Sequence, residues 1–256
     1  MPSNRCRVAV TGAGFFGSST RGSLKGERTA PTMGAMVKVD IQGALRWLQL
    51  DRPNKAHAYD RAMLEQLDAG LGGRVMIVSS TEDRAFCGGA DLNQMAHVRP
   101  LDALELYSQA VFDRLARHTA VSICAVQGAA VAGGCELALA CDVRIAGPRA
   151  RFSLPEVSLG LVPSAGGSTR LPAVVGPARA KEIILLGRSV DAETALAWGL
   201  VNEIHEHPVE RALELGRSLL ERDAVALRLA KQILVEPSLE KERVAEALLY
   251  QRRKKE

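Results

Sequence analysis

Short apolar runs alternate with stretches of helical period through the middle of this chain, and that alternation restricts the fold more than any other feature. Val75-Met-Ile-Val78 and Val121-Ser-Ile-Cys-Ala-Val126 are almost wholly apolar, as strands covered on both faces are. Residues 59–71 suit a helix with Ala62, Leu64, Leu67 and Leu71 as its apolar positions, and residues 101–117 suit a second amphipathic helix. A helix around 134–140 leads to the strand Val143-Arg-Ile-Ala146. Upstream, Val37–Ile41 and Ala44–Leu50 alternate around Gln42-Gly43 as a hairpin would. Beyond residue 176 the pattern turns helical, over 177–186, 191–198, 208–222, 223–235 and 238–251, interrupted by Leu200–Ile204. Strands alternating with helices, then a helical tail, specify an α/β core with right-handed crossovers.

The 256 residues carry no repeat of fixed period and no low-complexity linker, so one domain with a helical appendage is the natural division. Hydrophobic residues make up 47% and aromatics only 4%, which leaves Ala, Leu, Val and Ile to build the core. A formal charge of +4 suits an anionic ligand such as a nucleotide-bearing molecule but is far below the density of a nucleic-acid binder. No apolar run approaches the roughly 20 residues of a membrane span. The five cysteines (Cys6, Cys87, Cys124, Cys135, Cys141) contain no Cys-x-x-Cys pair, and the histidines complete no zinc pattern; His205 and His207 read as a solvated loop. With no signal-peptide core at the start, these features point to a reducing, soluble compartment, the cytoplasm. Arg7-Val-Ala-Val-Thr-Gly-Ala-Gly-Phe-Phe-Gly17 imitates a dinucleotide-binding turn. Its sequel is polar and glycine-rich, a poor helix, and cannot complete the unit. Residues 1–35 are therefore read as a disordered or non-native extension.

Three segments carry the candidate chemistry. Ala85-Phe-Cys-Gly-Gly-Ala-Asp-Leu92 follows a strand, and its small residues let backbone N–H groups approach a ligand. Gln127–Ala140 again follows a strand and opens a helix at Gly133, whose N–H has no intrahelical partner. Pairing the N–H groups of Gly88 and Gly133 would make an oxyanion hole, and such a donor typically contributes about 10²–10³ in rate. Glu136 lies in the first turn of that helix. Glu156 sits among Leu154, Val157 and Leu159, where partial desolvation would raise its pKa into the range useful for proton transfer. Two carboxylates near one water can divide the roles of base and acid. Taken singly, each glycine motif reads better as a tight strand–helix turn with close packing; the combination carries the functional reading.

The chain resembles the enoyl-CoA hydratase/isomerase (crotonase) family over about residues 36–235. The resemblance rests on Asp51-Arg-Pro-Asn-Lys55, Ala85–Asp91, Gly133-Gly-Cys-Glu-Leu-Ala138 with Cys141-Asp142, Pro155-Glu156 with Leu159-Gly160, Gly166-Gly-Ser-Thr-Arg-Leu171, Gly176 and Ala195-Leu-Ala-Trp-Gly-Leu-Val201. It implies a crotonase-like spiral of ββα turns over 36–190. It also implies a helical trimerisation region over 191–256, building a homotrimer or a dimer of trimers. The substrate would be an acyl thioester of coenzyme A, with CoA as part of the substrate, no resident cofactor and no metal; an acyl-carrier-protein thioester is the other handle. Its carbonyl would sit between Gly88 and Gly133, with Glu136 and Glu156 as the catalytic pair. Ala56, His57, Ala58, Ala90, Asp91 and Leu92 would line the CoA and substrate entrance, and Ser164 and Gly167 would help set the water. Ser164 stands where hydratases often place glycine. The chain stops at Gln251-Arg-Arg-Lys-Lys-Glu256, short of the family's usual last segment.

The leading expectation is hydration of a 2-enoyl-CoA. The same oxyanion hole would serve an isomerase or another thioester lyase or hydrolase. A non-catalytic acyl-thioester-binding subunit is a reading of a different class, and oxidoreductase chemistry through Gly12, Gly14 and Gly17 a third.

Overall fold

The computed structural model describes the backbone of residues 27–28 and, with side chains, residues 34–91, 93 and 106–254. The Gly12–Gly17 motif, most of the 1–35 extension, Leu92 and residues 101–105 of the expected second helix lie outside them.

The larger sheet has seven strands in the order β1-β2-β3-β4-β6-β8-β11. These are β1 (Glu27–Arg28), β2 (Val37–Gln42), β3 (Leu45–Leu50), β4 (Val75–Ser80), β6 (Val121–Val126), β8 (Val143–Ala146) and β11 (Glu203–Ile204). β2 and β3 form the expected antiparallel hairpin, whereas β3, β4, β6, β8 and β11 pair in parallel. Alternation within β4 shows why these runs read as continuously apolar. Met76 and Val78 face the main core, and Val75 and Ile77 face a second cluster with Leu45, Ile123, Ile145 and Leu213. That second face is covered by the helix Pro208–Leu220, where a Cβ on Gly216 would sit 3.0 Å from Leu45 and 3.1 Å from Ile77.

A smaller sheet was not legible in the sequence. It has four strands, in the order β10-β9-β7-β5, formed by β5 (Ala85–Cys87), β7 (Ala129–Val131), β9 (Arg151–Ser153) and β10 (Val190–Asp191). Strands of two or three residues are too short to show a period. The two sheets share their connections: β4 passes into β5, β6 into β7 and β8 into β9, so the chain turns a corner from one sheet to the other three times, and Gly88-Gly89 and Gly133-Gly134 follow the strands β5 and β7.

On the main-core side lie α1 (Arg61–Gly70), α2 (Tyr107–Arg117) and α3 (Gly133–Ala140). In α1 the buried positions are Met63, Leu64, Leu67 and Gly70; Ala62 is exposed, one position out of the stripe the sequence suggested. Asp60 caps this helix, its side chain accepting from Met63 N at 2.9 Å. Next come α4 (Gly167–Val175), α5 (Pro177–Leu185), α6 (Ala192–Ala197), α7 (Pro208–Leu220), α8 (Ala224–Val235) and α9 (Leu239–Arg253). Lys231 of α8 is buried and reaches the Ala120 carbonyl at 2.6 Å and the Asp142 carboxylate at 2.7 Å. Asp142 in turn accepts from the backbone N–H and the hydroxyl of Ser122 on β6. No helix among the described residues is long and apolar enough to cross a membrane.

Candidate active site

The segment after β5 runs against the N-terminus of α3. A Cβ on Gly89 would lie 3.0 Å from Ala132 Cβ and 3.2 Å from Gly133 N, and one on Gly134 would lie 2.0 Å from the Cys87 carbonyl oxygen. Only glycine permits that approach. Gly133 is equally constrained, since a Cβ there would be 2.0 Å from the Tyr59 hydroxyl. Tyr59 is buried edge-on against Phe112, with ring centroids 5.7 Å apart.

Backbone bonding decides which N–H groups are free to receive a ligand. Gly88 N donates to the Ala56 carbonyl at 2.9 Å, so the expected pairing of Gly88 with Gly133 is corrected: that donor is already spent. Tyr59 N donates to Gly89 O, and Asp91 N donates to Tyr59 O, both at 2.8 Å. In this strand-like segment consecutive N–H groups point to opposite sides, so Ala90 N–H faces away from Tyr59. Among the described residues the N–H groups of Ala90 and Gly133 have no acceptor. Ala90 was expected as an entrance residue; in this segment its N–H, and not that of Gly88, is left without an acceptor among the described residues.

Glu136, 3% exposed, lies one turn into α3. Its Oε1 accepts from Ala165 N and Gly167 N, each at 2.8 Å. Burial raises its pKa, opposed by these two N–H groups and by the nearby Arg170 guanidinium. Gly167 was expected to set a water, yet its N–H is committed to Glu136, and a Cβ there would come 3.0 Å from Glu136 Oε1. Ser164 contributes its carbonyl to Gln109 Nε2 at 2.9 Å.

Glu156 occupies a 3-10 turn, Glu156–Leu159, after β9. It is 8% exposed, and its Oε2 is buried with no partner among the described residues. Burial is the main reason its pKa rises to about 7, and the negative charge of Glu136 adds to the rise. The expected cause was apolar cover by Leu154, Val157 and Leu159. Only Leu154 is buried; Val157 and Leu159 point outward.

The entrance residues resolve into different parts. Ala56 is exposed in a left-handed turn, and its carbonyl takes the Gly88 N–H; the Ala58 carbonyl accepts from Arg52 Nη1 at 2.6 Å. The His57 side chain is not at the entrance. It is 1% exposed, its Nδ1 accepts from Arg52 N at 3.0 Å, and burial lowers its pKa. Asp91 is also spent, on Lys55 at 2.7 Å and Arg52 at 3.2 Å, and so ties the two entrance loops together. Among the described residues no cluster of His, Cys, Asp and Glu has the makings of a metal site.

Two cross-connected sheets, with paired buried carboxylates and unspent backbone donors where they meet, define an α/β enzyme of the crotonase superfamily. The enoyl-CoA hydratase/isomerase family model matches residues 40–254, and the chain belongs to that family. It is 37% identical over 204 residues to 2,3-dehydroadipyl-CoA hydratase of Escherichia coli (strain K12), covering 77% of this chain and 80% of that one. It is 32% identical over 209 residues to the short-chain-enoyl-CoA hydratase of Clostridium acetobutylicum, covering 77% of this chain and 80% of that one. A solved structure from Thermobifida fusca YX, assigned as an enoyl-CoA hydratase and in complex with CoA, superposes with a TM-score of 0.80. It is 28% identical and covers 90% of this chain and 100% of that chain.

Proposed function

We propose that this enzyme adds water across the 2,3 double bond of a 2-enoyl-CoA thioester, and catalyses the reverse. The observation that carries the reading is the unequal setting of its two buried carboxylates. Glu136 is held by two N–H groups that stabilise its charged form, whereas Glu156 keeps an unpartnered oxygen and a pKa of about 7. Glu136 is therefore the base and Glu156 the acid. The thioester carbonyl oxygen lies between the N–H groups of Ala90 and Gly133. Glu136 takes a proton from water as its oxygen bonds to C3, and the negative charge moves to the carbonyl oxygen. Glu156 then gives its proton to C2 as the enolate collapses. The CoA handle is supported by the relative solved with CoA.

The enzyme works as a trimer or a pair of trimers, a reading supported by apolar side chains exposed on its last helices: Leu234, Leu239, Val244, Leu248 and Tyr250. The test of the chemistry is loss of the conjugated absorbance of crotonyl-CoA, on the wild type and on Glu136→Gln and Glu156→Gln. Rapid loss that falls at least about 10²-fold in each variant is expected. No loss with the wild type on crotonyl-CoA or a longer enoyl-CoA overturns hydration.

A further inference from the structure

Beside the candidate site lies an open cavity of about 510 Å³, within the range of small-molecule sites. It is bounded by the first half of α2 and the start of α4. Its position ties it to the carboxylates. Gly166 lines it, between the two residues whose N–H groups hold Glu136. Gln109, also in its wall, bonds the Ser164 carbonyl one residue earlier. On the other side, Ser108 of α2 lies beside Tyr59, whose hydroxyl packs on Gly133.

We propose that this cavity receives the far end of the acyl chain, and that Arg61 and Arg170 select 2-enoyl thioesters whose acyl chain ends in a carboxylate. The inference rests on the hydratase reading above. In a six-carbon chain the terminal carbon lies three bonds beyond C3, about 3.5 Å of extended chain, and Gly166 sets the cavity wall beside the backbone that holds Glu136. An alkyl end would find Leu106, Tyr107 and Ala110, but would also lie against the polar groups of Arg61, Gln109, Asp113, Thr169 and Arg170.

The charges favour an anion. Arg170 is mostly buried, bonds the Ala165 carbonyl at 3.1 Å, and meets Asp113 at 3.3 Å. Burial lowers its pKa, opposed by the charges of Asp113 and Glu136. Asp113 is the acid in the wall, and Arg117, outside the wall, also draws on it at 2.9 Å. Arg61 lies 3.6 Å over the Tyr107 ring. Its Nε pairs with Glu65 at exposed positions, a weak interaction, and its two Nη groups have no acceptor among the described residues. A stacked guanidinium with a free edge is suited to grip a carboxylate with two hydrogen bonds.

The full-length enzyme tests this with pairs of six-carbon CoA thioesters that differ only in ending in a carboxylate or a methyl group. Saturated pairs report binding by calorimetry, and 2-enoyl pairs report kcat/KM. The carboxylate-ended member is expected to bind and turn over better by about tenfold or more. Arg61→Leu should reduce that ratio at least about fivefold, and Arg61→Lys should keep more of it than Arg61→Leu. Equal or better binding of the methyl-ended member, or a ratio unmoved by Arg61→Leu, overturns the proposal. If crotonyl-CoA is hydrated while the preference is missing, this inference alone fails. If no enoyl-CoA is hydrated yet the saturated carboxylate-ended thioester binds more tightly, the anion pocket stands and the hydratase reading fails.

Discussion

Glu136 and Glu156 are both buried carboxylates, and their surroundings differ at every level. The first is set on a helix whose opening residues admit no side chain, with two backbone donors closing on one oxygen. The second rides on a single 3-10 turn whose outer side chains face solvent and whose inner oxygen meets no donor among the described residues. Burial raises the pKa of both; at Glu136 two backbone donors oppose that rise, whereas Glu156 is carried up to about 7. The clamped region fixes geometry; the unclamped region stores a proton.

Glycine substitutions should break this contrast most sharply. Gly134→Ala drives a methyl group into the Cys87 carbonyl, so crotonyl-CoA hydration should fall at least about 10²-fold and unfolding should show a loss of about 1–3 kcal/mol or more. Gly160→Ala, at the end of the turn carrying Glu156, meets open space and adds only the strain of its positive φ, about 1 kcal/mol, with activity retained within a few fold. Equal losses in both variants would erase the distinction.

The proton store predicts a pH profile. If Glu156 acts as the acid, kcat/KM falls as pH rises through about 7, and Glu156→Gln removes that limb while Glu136→Gln leaves it in the residual rate. Stability follows the same group. Folding raises its pKa, so between about 4.5 and 7 the native state holds a proton that the unfolded state releases, and stability drops as pH rises through this window. Glu156→Gln should therefore be more stable than wild type at pH 8 by at most about 3 kcal/mol, with the advantage gone near pH 4. Chemical unfolding at the two pH values measures it.

The smallest effect concerns His57, in the turn that buttresses the clamped region. Its pKa is lowered from 6.5, so its contribution is present above that value and is lost as pH falls below it, the opposite slope to Glu156. His57→Asn should flatten the acid side of the stability profile without altering the alkaline limb of kcat/KM.

The sequence made the long parallel strands and every helix of the tail legible, because burial on two faces and on one stripe leaves periods of different length. It also named both glutamates. It failed where the relevant object was a backbone group. Whether Gly88 or Ala90 presents its N–H to a ligand depends on Ala56 and Tyr59, some thirty residues upstream, and no spacing rule within Ala85–Asp91 contains that information. The family resemblance likewise set His57 and Asp91 at the entrance, and their side chains are occupied by Arg52 and Lys55. The smaller sheet escaped because its strands are fragments of the corner turns.

The link from Lys231 to Ala120 joins residues 111 positions apart, and with Asp142 it closes the end of α3 opposite the one that presents Gly133. Neither β6 nor the helix bearing Glu136 has its final set of contacts until α8 has emerged and docked. During synthesis the setting of Glu136 therefore matures late, only after α8 has left the ribosome. The half-made sheet meanwhile presents open parallel edges, and non-local pairings of this kind are slow to form and prone to aggregate while they wait.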